Sequence, residues 1–129
     1  MTGMATRVEA PVEAVEVAAY TVPTDAPEAD GTLSWESTTI VVVHVRAGGE
    51  QGLGYTYADL STAKLIQSKL AGVVEGRDAF SPQASWLAMV GAIRNLGRPG
   101  ISSMAIAAVD LALELLPPRT VGLALEPRQ

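Results

Sequence analysis

The 129 residues carry nine Lys/Arg against fourteen Asp/Glu, a net charge of −5, with 48% apolar and 18% charged residues, as expected of one folded acidic domain. That balance excludes a general nucleic-acid binder, which needs a basic face, and a reader of anionic membrane surfaces. Zero cysteines exclude disulfides, thiolate metal sites and Cys nucleophiles, and a single His excludes a multi-His metal centre.

No segment reads as a membrane span. The most apolar run, Ile101 to Leu116, is interrupted by Asp110 and Glu114 and falls short of the about 20 residues a span needs. Met1 to Arg7 lacks the basic-then-apolar pattern of a secretory leader, so a cytoplasmic location is expected. Residues 1–11 read as a flexible start.

From Val12 to Val22, alternating and mostly β-branched apolar residues predict a strand. Pro23 to Gly31, with two prolines and the acids Asp25, Glu28 and Asp30, predicts a solvated loop. The acids do not have the spacing of a calcium loop and lack its bidentate Glu. Thr32 to Ala47 predicts a second, long strand. It sets Thr39, Val41, Val43 and Val45 on one face and Ile40, Val42, His44 and Arg46 on the other, so both faces want cover. Gly48-Gly49 is a hairpin signal, and Leu53 to Tyr57 predicts a third strand. The glycines at 48, 49, 52 and 54 precede a strand rather than a helix, which favours a tight turn over a phosphate cradle.

After Asp59 the period changes. Ile66, Leu70, Val73 and Val74 share a helical face; Ser81-Pro82 opens a second helix bearing Trp86, Met89, Val90 and Ile93 and ending at Gly97. A third helix places Ile101, Met104, Ala105, Ala108, Leu111, Ala112 and Leu115 on one broad face. Its alanines permit close approach of a neighbour, and Pro117-Pro118 stops it. Three strands followed by three helices predict an α+β domain: an antiparallel meander covered by a helical bundle.

Few residues suggest chemistry. His44 sits mid-strand without a carboxylate to orient it and reads as a core or sheet-face residue. Asp110 in the alanine-rich helix reads as a structural ion pair, with Arg94 or Arg98 as partner. Tyr55-Thr56-Tyr57 supports two readings, edge-strand packing or a rim that offers hydroxyls and aromatic surface to a ligand. Spacing reveals no base–nucleophile pair, metal cluster or cofactor loop.

The stretch from Arg94 to Leu113, RNLGRPGISSMAIAAVDLAL, resembles the enolase superfamily in its mandelate racemase/muconate lactonizing enzyme (muconate cycloisomerase) branch, where a similar helix closes the N-terminal capping domain. Val15 to Pro23, Ile40 to Val45 and Gly52 to Tyr57 resemble that domain's three strands. The resemblance implies the meander-plus-bundle fold already read from the pattern. It also implies a cap over a (β/α)₇β barrel, whose carboxylates hold Mg2+ and whose Lys or His bases take the proton α to a substrate carboxylate. Racemases, cycloisomerases and sugar-acid dehydratases share that step.

The resemblance further implies substrate contacts from two cap segments: the connection of the first two strands, about Thr21 to Thr32 with Val22 at its base, and Tyr55, Thr56 and Tyr57 at the end of the third. The expected units are a capping domain at 12–116 and a short tail at 117–129, with Glu114 to Pro118 standing where the family enters its barrel. A barrel needs about 250 residues. The chain is therefore expected to bind no cofactor itself, to be inactive alone, and to partner a barrel that acts on a carboxylate such as an acid sugar. A bare apolar surface, involving Ile40 or Val42 and the alanine-rich helix, is expected to drive self-association. The alternative is a free-standing interaction or dimerisation module that kept the cap fold.

Overall fold

A computed structural model describes residues 10–117; the expectations for residues 1–9 and for the tail from 118 onward lie outside the described residues. Strands β1 (Val12–Ala29), β2 (Ser34–Ala47) and β3 (Glu50–Tyr57) precede α1 (Leu60–Leu65), a π-helical turn (Ile66–Leu70), α2 (Ala71–Val74), α3 (Pro82–Ala92) and α4 (Ile101–Glu114). The sheet order is β1-β2-β3, antiparallel throughout. The α+β meander followed by helices is thus the fold the sequence predicts.

Local chemistry explains the connections. Gly48 and Gly49 form the two-residue β2–β3 loop with φ of 59° and 79°, the primed turn geometry that matches strand twist. The Asp59 carboxylate accepts the Ser61 N–H at 2.9 Å and caps α1, which holds its pKa below the usual carboxylate range. Ser81 precedes α3 with Pro82 in the first turn, although no side-chain cap bond forms there.

The predicted loop at Pro23 to Gly31 is instead mostly strand. β1 runs to Ala29 and pairs with β2 out to Ala29↔Ser34, so the first two strands continue beyond β3 as a two-stranded arm. Pro23 is tolerated because it lies on an edge strand. Val15 N–H points away from β2, to Glu75 Oε2 at 2.9 Å, and antiparallel alternation sends the position of Pro23 the same way. Between Pro23↔Ser37 and Glu28↔Trp35 the register breaks, with residues 24–27 opposite Glu36. The Thr24 hydroxyl pins that bulge by sharing its one proton between the carbonyls of Ala26 at 2.7 Å and Glu36 at 3.0 Å. At the tip, the Asp30 carboxylate accepts from the backbone of Thr32 and Leu33, each at 2.8 Å. The apparent loop acid Asp30 is therefore the lock of a turn, and its pKa is lowered chiefly by the Thr32 backbone bond.

One sheet face carries the core. Val41, Val43 and Val45 are fully buried with Val15, Ile66, Leu70, Val74, Met89 and Ile93 beneath them. α4 is also buried, but along Ser102, Ala105, Ile106, Ala108, Val109, Ala112 and Leu113. The predicted face holds at Ala105, Ala108 and Ala112, which are fully buried, and is corrected at its ends, where Ile101 and Leu115 are exposed; of the parts of this helix expected to be under-buried, Ala107 is exposed. The cause of the burial lies on β3, where Gly52 and Gly54 occupy the core face. A Cβ at Gly52 would fall on the Ala112 carbonyl oxygen, and one at Gly54 on the Ala108 carbonyl oxygen and within 2.7 Å of Ala112 N. Helix and strand meet backbone to backbone, which only small residues on both sides permit.

Gly54→Ala is expected to cost about 3 kcal/mol or more, because the clash is with backbone that no rotamer change relieves. Gly91→Ala, exposed within α3 with nothing within 4 Å of the new methyl, should gain about 0.5–1 kcal/mol. Urea unfolding of both variants checks the contrast.

Candidate functional site

The arm and the end of β3 converge at the base of the arm. There a cleft of about 370 Å³ is lined by Leu33, Trp35, the run Ser37 to Thr39, and Tyr57 to Asp59. β2 supplies half of the lining, Trp35, Ser37, Thr38 and Thr39, of which alternation sets Trp35, Ser37 and Thr39 on one strand face. The Thr39 hydroxyl bonds that of Thr21 across the strands at 3.0 Å, and Ala58 N–H donates to Thr39 O at 3.2 Å, which joins the end of β3 to the arm. The cleft offers four hydroxyls, an indole and the Asp59 carboxylate, and no Lys, Arg or His. Such a lining fits a polyol, hydrogen-bonded through hydroxyls and stacked on an aromatic face. It has no group to receive a substrate carboxylate and no acid–base pair for proton abstraction.

The four residues singled out in the sequence are placed as follows. Val22 pairs with Thr38, and Tyr57 lies opposite Ile40, so both stand on the sheet face away from the helices. Tyr55 shares that face, its ring edge-to-face with Tyr57 at 6.0 Å and 79°. Thr56 lies opposite Val41 and so faces the helices. Of the four, Tyr57 lines the cleft at the arm. Trp35, Ser37, Thr38, Thr39 and Asp59 were not foreseen; the signal for the first four was the polar start of the second strand, and for Asp59 its place as the helix cap just after the third.

Tyr55 lines a second cleft, of about 450 Å³, between β3 and α4, together with Trp86, Arg98, Ser103, Asp110 and Glu114. The expected ion pair of Asp110 is absent: among the described residues neither Arg94 nor Arg98 bridges to it. Arg98 stacks on Trp86 with its Cζ 5.4 Å from the ring centre, and its carbonyl accepts from Ser103 Oγ. Without a cation, partial burial first and the charge of Glu114 second push the Asp110 carboxyl above its ordinary pKa. His44 is half-buried on the sheet face between Glu16 and Leu53, in keeping with the sheet-face reading.

Residues 9–126 match the family described as mandelate racemase / muconate lactonizing enzyme, N-terminal domain, and the chain belongs to that family. It is 60% identical to a mandelate racemase/muconate lactonizing enzyme-like protein of Rubrobacter xylanophilus, with a TM-score of 0.78 over 80% of this chain and 29% of that one. A racemase of Streptomyces coelicolor, solved with bound magnesium, is 30% identical with a TM-score of 0.76, covering 79% of this chain and 30% of that one. A 3,6-anhydro-alpha-L-galactonate cycloisomerase of the same organism is 30% identical over 110 residues. The chain spans about 30% of the length of these relatives.

Among the described residues no three His, Cys, Asp or Glu side chains cluster to hold an ion, and the acids of the β1–β2 arm do not converge. No described helix is long and apolar enough to cross a membrane.

The raised Asp110 carboxyl gives a pH prediction. A folded-state pKa above the unfolded one disfavours the charged form, so stability falls as pH rises from the unfolded carboxylate pKa through the raised folded value. Asp110→Asn should therefore be more stable than the parent at pH 7 and indistinguishable from it at a pH below the ordinary carboxylate range. Thermal melts at the two pH values check this.

Proposed function

We propose that this domain, within residues 12–116, is the capping and substrate-selecting part of an enolase-superfamily enzyme that acts on acid sugars. The carrying observation is the cleft at the arm base, where hydroxyls and the Trp35 ring meet beside a two-stranded arm that ends in an Asp30-locked turn. A polyol tail suits this lining, and the cycloisomerase relative acts, by its name, on an anhydro-galactonate. The carboxylate end of such a substrate finds no cation among the lining residues. In this proposal it would be met by the Mg2+ and bases of a barrel, which would supply the chemistry of removing the α-proton.

In this division of labour the cap excludes water and orients the sugar hydroxyls. Val22 at the arm, with Tyr55, Thr56 and Tyr57 on β3, borders that substrate path, and Tyr57 is the member of the set that lines the cleft. Among the described residues that line the cleft, no acid–base pair stands ready to take a proton from a reacting carbon. We infer accordingly that the 129-residue chain does not turn over an acid sugar unaided.

A second reading is favoured by one specific observation. The sheet face opposite the helices leaves Tyr20, Val22, Leu53, Tyr55 and Tyr57 exposed, which suits an interaction or dimerisation module with the same fold.

The test uses the 60%-identical Rubrobacter xylanophilus protein, cut to remove the part that this chain matches. The chain is expected to bind the remainder, and Tyr57→Ala to weaken substrate retention in the reconstituted enzyme by about tenfold, as the loss of one well-placed hydrogen bond and its ring contact would. Magnesium-dependent α-deuterium exchange on galactonate-type acids should be absent for the chain alone and present for the complex. Failure to bind the remainder, or exchange by the chain alone, would contradict the proposal.

A further inference from the structure

The helix-free face of the sheet is built in rows. Val22 and Thr38 form one. Below it run Tyr20–Ile40–Tyr57, Ala18–Val42–Tyr55, Glu16–His44–Leu53 and Ala14–Arg46–Gln51. Directly opposed residues share a face, so these side chains form one continuous surface. Its large apolar members stay open to solvent: Tyr20 is 55% exposed, Val22 48%, Leu53 49%, Tyr55 50% and Tyr57 63%. Charge is gathered at one end, where Arg46 Nη1 donates to Glu16 Oε1 at 2.7 Å and Glu13 lies close enough to act on the same guanidinium. The rows from Ala18 to Val22 carry no formal charge.

We propose that this face is a self-complementary interface that joins two copies of the chain, sheet against sheet, about a two-fold axis. Three features on the face select a second copy over other occupants. First, area: an aromatic side chain carries about 150–250 Å² of surface, so five large residues half exposed leave roughly 500 Å², before the partly covered Ile40 and Val42 are added. That lies toward the upper end of the about 300–600 Å² found as the largest apolar patch on a monomer, and approaches the about 800 Å² that each partner gives to a standard interface.

Second, charge: the chain's net −5 would repel a copy, but this face neutralises its own end with the Arg46–Glu16 pair. Third, chemistry: a patch of three tyrosines and aliphatic residues matches itself, as a two-fold interface requires, because each tyrosine offers both a ring and a hydroxyl to its symmetry mate. The proposal names the surface for the second reading above and does not depend on the capping role. The face shares Thr38 and Tyr57 with the cleft at the arm base and Tyr55 with the cleft beside α4; the remaining lining of both clefts lies outside these rows.

Sedimentation equilibrium of the full chain, paired with far-ultraviolet circular dichroism, tests it. At about 100 µM the chain should sediment at twice its own mass. Tyr20→Arg with Leu53→Lys should keep the parent spectrum and weaken the dimer by about 100-fold or more, as the loss of two interface anchors would. Leu87→Lys, on an exposed position of α3, should leave the dimer intact. If the charged double variant does not fold, Tyr20→Ser reads the same question and should also weaken the dimer.

A monomeric parent at this concentration overturns the proposal, as does a dimer that survives the Tyr20 variants or is lost with Leu87→Lys. Dissociation of the dimer by the remainder of the Rubrobacter xylanophilus protein would assign the face to that partner instead and likewise overturn it. The first three outcomes say nothing of whether the cap binds that remainder, and the last would support that binding while overturning the dimer, so the two proposals fail separately.

Discussion

The seam between β3 and α4 sets the rest of the molecule. Gly52 and Gly54 on one side, and Ala108 and Ala112 on the other, bring strand and helix into backbone contact. A residue with a Cβ at either glycine would push α4 outward by the length of a bond or more. That displacement would open the valine layer of β2, because Val41, Val43 and Val45 are sealed by the same helices. The seam also fixes the edge of the sheet from which Tyr55 and Tyr57 project. A contact without large side chains thus positions the large side chains that face solvent.

Much of this was legible in the sequence because the signals were local. The valine alternation of β2, the Gly48-Gly49 turn and the Ser81-Pro82 helix start each reflect a conformational preference of a few neighbouring residues. The arm was not legible. Prolines and acids argue for a loop unless it is known that Pro23 lies on a free edge and that Asp30 closes a turn, and both are facts of pairing. The face of α4 was read correctly at Ala105, Ala108 and Ala112 and wrongly at its ends, for a related reason. Periodicity gives weight to Ile101, Met104, Leu111 and Leu115, whereas the glycine strand selects the alanines for burial. The π-helical turn at Ile66–Leu70 left no trace in the pattern, since Ile66, Leu70 and Val74 still align on one side.

Function divides along the same geometry. The end of the sheet, where arm and β3 meet, offers hydroxyls and an indole; the flat of the sheet offers tyrosines and aliphatic groups. The first suits a small polar ligand and the second a protein surface. Sequence reading grouped Tyr55, Thr56 and Tyr57 as one rim, but strand alternation separates Thr56 from the two tyrosines. Half of the lining that does gather at the arm comes from β2, a strand whose polar half was overlooked beside its valine half.

Site-resolved amide hydrogen exchange tests the central claim most directly, that a closed strand–helix seam carries a separately exposed arm. The amides of Val41, Val43, Val45 and Ala108 to Ala112 should exchange only through global unfolding and with one common free energy, while those of the arm from Thr24 to Trp35 exchange orders of magnitude faster by local opening. Seam amides that exchange by local opening, or an arm protected to the same degree as the seam, would contradict the account.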